Sequence, residues 1–126
     1  MVRWLGGAVL AGHGLVHLLG MTVLWRLAEP GNLRYADAVP RPGSSAGTTV
    51  GALWLSAAVL FVWSAVLLVT RLPWAAVTVV AAVVSAPVVT LMGSAARAGL
   101  VVDIGVLITV LGRTFVPRRG AQVRFR

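Results

Sequence analysis

Four apolar runs, broken by arginine and proline, fill most of this chain: Trp4 to Leu27, Val50 to Thr70, Pro73 to Met92, and Ala98 to Gly112. A helix crosses the bilayer core with about 20 residues and a lower limit near 17. The first three runs reach that length. The fourth does so when its start is taken back to Ser94. Between the first two runs lies EPGNLRYADAVPRPGSSAGTT, whose prolines, glycines and hydroxyl residues mark an irregular loop. Arg71–Leu72–Pro73 makes a tight connection, and the chain ends in the basic stretch RTFVPRRGAQVRFR.

A soluble domain of ordinary composition carries about a quarter charged residues. This chain has 11 basic and 3 acidic side chains among 126 residues. The polar shell that water requires is missing, so the expected solvent is lipid. The sequence therefore predicts an all-α integral membrane protein, an antiparallel four-helix bundle over residues 1–112. Its spans are expected at about 4–27, 50–70, 73–92 and 94–112, with an external loop at 28–49. Residues 113–126 are expected to form a basic cytoplasmic tail.

Arginine placement sets the expected orientation. With both termini on one side, that side holds Arg3, Arg71, Arg113, Arg118, Arg119, Arg124 and Arg126, against Arg26, Arg34, Arg41 and Arg97 on the other. The positive-inside rule puts the richer side in the cytoplasm. Trp4 and Trp74 are then expected at the inner interface and Trp25 and Trp54 at the outer, as aromatic belts, with Trp63 deeper. Every basic residue is arginine, and Ala, Val and Gly are abundant. That bias suits a high-GC bacterium, hence a multi-pass protein of the bacterial cytoplasmic membrane. A net charge of +8 invites a nucleic-acid reading. The arginines cluster at span ends instead, where lipid headgroups are the expected partners. Ala36–Asp37–Ala38 has the form of a signal-peptidase site, but the preceding run exceeds an ordinary signal core and carries two histidines, so it is read as a retained span. With no cysteine, disulfides and thiolate metal sites are excluded.

The polar residues within the runs carry the functional question. His13 and His17 lie four apart and share one helix face with Gly6 and Gly20, while Trp4, Leu15 and Leu18 lie opposite. Small residues let a neighbouring helix come close, so both histidines are expected to point inward. At 1.5 Å per residue, His13 lies about 15 Å from Arg3, and Asp103 about 15 Å from Arg113. Ser85 and His17 share a second level, about 21 Å in. An aspartate at a helix centre costs about 2.5–3.5 kcal/mol on insertion scales, so it needs a partner or must stay neutral. His13 is the obvious partner. Pro87 predicts a kink in the third run, with Ser85 nearby to satisfy backbone groups. Ser56, Ser64 and Thr109 read as packing residues, and Arg97 as one that reaches for headgroups.

Three readings of His13, His17 and Asp103 stand together. They are interhelical hydrogen-bonding groups that set register; or a metal site, with Met21 extending the ligand stripe; or a catalytic proton relay beside a quinone headgroup, with Ser85 and Gly20 as pocket wall. Haem fits poorly, since bis-histidine ligation needs opposed imidazoles and these share a face.

The segments AGHGLVHLLGM, GALWLSAAVLFVWSAVLL, PWAAVTVVAAVVSAPVV and AARAGLVVDIGVLI resemble small bacterial four-helix membrane proteins of the DoxX-like type, over residues 5 to 112. The resemblance implies an antiparallel four-helix bundle. For DoxX proteins proper it also implies association with membrane redox systems, including a thiosulfate:quinone oxidoreductase subunit. Asp103 stands where related chains often have asparagine. The functional expectation is a small membrane component of redox or quinone chemistry. The alternative is a non-enzymatic structural or accessory protein that binds a larger membrane partner or a second copy, or a small transporter subunit.

Overall fold

A computed structural model describes residues 1–91 and 97–115. The described chain is entirely helical: α1 (Val2–Leu24), α2 (Ser45–Thr70), α3 (Ala75–Leu91) and α4 (Arg97–Phe115). Both α1 and α2 are long and apolar enough to cross a membrane, while α3 and the apolar part of α4 are shorter. The expected tail lies largely outside the described residues, as do the fourth span's first residues.

Helix ends follow local chemistry. The second helix starts at Ser45 rather than at Val50, because Ser44 caps it: its Oγ accepts the Gly47 N–H at 3.0 Å. Hydropathy alone places the start later, because the first turns of α2 are small and polar. The helix closes at Arg71, whose N–H reaches the Leu68 carbonyl while the Leu72 N–H reaches Leu67. Arg71 takes a left-handed φ of 66° there, in the place a glycine usually fills. Ala75 then opens α3, so the turn predicted at Arg71–Pro73 is present.

Neighbours in sequence pack as neighbours in space, α1 on α2, α2 on α3 and α3 on α4. Residue pairs give the direction. Gly7 faces Val69, Gly14 faces Phe61, and Gly20 faces Trp54, so α1 and α2 run antiparallel. Ser85 meets Asp103 and Val89 meets Gly99, so α3 and α4 do as well. The glycines set how closely α1 approaches. A Cβ on Gly14 would lie 2.9 Å from the Ala58 carbonyl oxygen, and one on Gly20 within 2.5 Å of the Trp54 ring. Among the described residues, α1 and α4 do not pack directly along their lengths. They meet through side chains, and toward the start of α1 an apolar groove of about 760 Å³ separates them.

The interior mixes apolar and polar side chains, and many large apolar side chains face outward. Fully buried side chains include His17, Thr78, Ser64, Ser85 and Asp103. Leu15, Val16, Val59, Trp63, Val83, Val101 and Ile108 face outward instead. Two apolar clusters flank the polar level. Val23, Leu24, Trp54, Val88 and Val89 form one, and Leu10, Phe61, Ala65, Ala81 and Ala82 the other.

Candidate functional site

Three helices bring four polar side chains to one level of the bundle. His13 and His17 come from α1, Ser85 from α3 and Asp103 from α4. His17 and Asp103 are 0% and 1% exposed, so neither shares its bonds with solvent. The His13 Nε2–H donates to Asp103 Oδ1 at 2.8 Å. His17 Nδ1–H donates to the His13 carbonyl one turn back at 2.9 Å. His17 Nε2 and Ser85 Oγ are 2.6 Å apart, and Ser85 Oγ lies 2.5 Å from Asp103 Oδ2.

Counting protons shows what this arrangement does chemically. The four bonds need one proton each. His13, His17, Ser85 and Asp103, all neutral, supply one apiece. In that set the Asp103 hydroxyl donates to Ser85, and Ser85 donates to His17 Nε2. A second set has the same proton count: Ser85 donates to an ionised Asp103, and an imidazolium His17 donates to Ser85. The two sets differ only in where the protons sit along His17, Ser85 and Asp103. Both are neutral overall and leave every bond made, which is what a low-dielectric interior demands. The short Ser85–Asp103 separation falls in the range of a charge-assisted O–H···O⁻ bond.

Aromatic rings enclose the centre. Phe61 sits edge-on to His13, with ring centroids 4.7 Å apart, and Trp54 tilts over His17 at 5.0 Å. Trp54 thus faces inward from α2 and is buried, not held at an outer interface as the belt pattern predicted. Its seat is Gly20, the only residue type whose backbone leaves room for the indole there. Among the described residues, Trp54 Nε1 is the one buried side-chain polar atom without a hydrogen-bond partner.

The expected level pairs, His13 with Asp103 and His17 with Ser85, are both present. Ser85 differs in role from the expectation. Its hydroxyl bridges His17 and Asp103 rather than serving backbone groups freed by Pro87. Gly20 supports Trp54, and Met21 packs on the Val23–Leu24–Trp54 cluster. His13, His17 and Asp103 have ligand atoms within 4.8 Å of one another, a spacing an ion could use. Both His17 nitrogens and both Asp103 oxygens are already engaged in protein hydrogen bonds, so a metal would have to displace them. Ser56, Ser64 and Thr109 each donate to the carbonyl four residues back, as packing residues do. Phe61 is a member of the site that the sequence does not single out. Its signal is its place seven residues after Trp54, on the same face of α2.

Compared with known proteins, the chain matches no family model, no curated protein and no solved structure.

Proposed function

We propose that this chain is a multi-pass membrane protein, both termini cytoplasmic, whose His–Ser–Asp–His centre holds and passes protons for membrane redox chemistry of the quinone type. One observation carries the reading. The same heavy-atom arrangement accommodates two proton placements with no bond lost, which is the property of a relay. An intramembrane cluster of ionisable residues is a functional site by default. A bilayer setting is supported by the outward-facing apolar side chains and by the lengths of α1 and α2. The bacterial setting draws on the arginine-only, Ala- and Val-rich composition, and the redox association on the DoxX-like resemblance.

In this reading a quinol gives up protons when a partner oxidoreductase takes its electrons, and the network receives protons only. His13 is the port. It is the least buried of the four, and its Nδ1 is not used in any of the four bonds. A proton taken up at His13 Nδ1 gives the centre one positive charge. Concerted shifts from His13 Nε2 to Asp103, from Asp103 to Ser85 and from Ser85 to His17 Nε2 carry that charge to His17. Asp103 stays neutral and changes which oxygen holds its proton.

The test is infrared difference spectroscopy on the protein in lipid nanodiscs, cycling a short-chain quinone analogue between its redox states. The expected result is a change in the protonated-carboxyl band that disappears in Asp103→Asn. A wild-type protein whose carboxyl band ignores the redox state would sink the proposal.

A second reading has its own observation: all four bonds are satisfied, which suits a purely structural lock between helices in an accessory protein. It predicts a co-purifying membrane partner whose capture is unaffected by Asp103→Asn.

A further inference from the structure

The groove between α1 and α4 lies beside the polar centre but is not part of it. Its walls are Val9 and Leu10 on one side and Val102 and Val106 on the other, and Arg3 and Trp74 stand at its outer end. None of His13, His17, Ser85 or Asp103 lines it. On α1 the groove reaches Leu10, one turn short of His13, and on α4 it reaches Val102, next to Asp103, whose bond to His13 ties the two helices at that level.

Two features give it a definite shape. From Arg3 to Leu10 the wall runs about 10 Å along α1, within the roughly 15 Å depth of one leaflet's hydrocarbon. Gly105 lines the groove, and a Cβ built on it would meet nothing within 4 Å. Gly105 is exposed, and a side chain at 105 would project into this open space.

We propose that this groove holds one acyl chain of an anionic phospholipid, with the Arg3 guanidinium on the phosphate. Charge and depth select this occupant. An arginine at a groove mouth binds phosphate through paired N–H donors, and the turn carrying Arg71 closes the same end of the bundle. The apolar walls then take the chain inward, toward the bilayer centre. A quinone ring would need polar partners at the deep end, where the lining is valine and leucine. The lipid fills the seam between α1 and α4 and so completes the wall beside the His13–Asp103 bridge.

The inference rests on the membrane reading proposed above, and native mass spectrometry separates the two. The full chain is released from detergent with phosphatidylglycerol or phosphatidylcholine of matched acyl chains. Wild type is expected to retain one phosphatidylglycerol with a preference on the order of tenfold, the scale of one charge-assisted contact. Gly105→Leu should keep its helical circular dichroism and lose the lipid. Arg3→Gln should keep a lipid and lose the preference. Equal retention by Gly105→Leu, no preference in wild type, or displacement of phosphatidylglycerol by an uncharged quinone analogue overturns the proposal. A chain that stays soluble and folded without detergent defeats the membrane reading itself.

Discussion

His17 gives its Nδ1 proton to the carbonyl of His13, and that bond constrains every other proton in the centre. With Nδ1 committed, His17 Nε2 is free to take a proton from Ser85 or give one to it. A histidine whose Nδ1 were unengaged could flip tautomers and break the correlation. The helix supplies this constraint without any further residue, because side chains four apart stack on one face.

Asp103→Asn follows directly from the proton count. The amide oxygen accepts from His13, the amide nitrogen donates to Ser85, and Ser85 donates to His17. All four bonds survive, locked in the neutral placement. The variant should therefore melt within about 1 kcal/mol of wild type. Asp103→Ala leaves the His13 Nε2–H without a partner and removes one of the two bonds of Ser85, and should cost about 2–5 kcal/mol. Thermal denaturation in a fixed detergent compares the two. Equal losses would mean that the carboxylate's charge, not its bonding pattern, stabilises the bundle.

Ser85→Ala removes the bridge while leaving His13 bonded to Asp103. One buried nitrogen and one buried oxygen lose their partner, for an expected loss of about 1–3 kcal/mol. The same substitution should also uncouple the ends of the network. A double-mutant cycle of His17→Phe and Asp103→Asn is run with and without Ser85→Ala. Coupling across the bridge should fall to about zero once the serine hydroxyl is gone.

The two glycines beside His13 should behave oppositely. A Cβ at Gly12 meets nothing within 4 Å, so Gly12→Ala should be neutral or stabilise by up to about 1 kcal/mol through helix propensity. A Cβ at Gly14 meets the Ala58 carbonyl, a backbone atom that cannot swing away. Gly14→Ala should cost about 1–3 kcal/mol. Melting curves of the two variants, side by side, decide this.

At the start of α2, Ser44→Ala removes a side-chain cap and should cost about 1 kcal/mol. Hydrogen exchange at the Gly47 amide reports the loss locally.

Much of the candidate site is legible in the sequence because depth along a helix is simple arithmetic. Counting residues from arginines puts His13 level with Asp103, and His17 level with Ser85. What counting leaves out is lateral position. Whether Ser85 points at a neighbour or at its own backbone depends on how α3 is rotated, and a nearly uniform run of Ala and Val carries little information about rotation. Trp54 escapes the sequence pattern for a related reason. A tryptophan near a span's end suits an interface equally well, and only the facing Gly20 reveals that it turns inward. The start of α2 is hidden because hydropathy cannot see a serine cap.

The order of the network along the chain has a consequence for how the protein is made. Synthesis runs from α1 to α4, so His13, His17 and Ser85 emerge first and Asp103 last. If the bundle inserts into a bilayer as proposed, the partners of the centre's only acid are already in place when α4 follows. On that proposal, reversing the helix order, with the acid delivered first, would leave a carboxyl in lipid until its partners arrived. A circular permutant that begins at α4 should therefore insert less efficiently than the native order, even though its finished bundle would contain the same bonds.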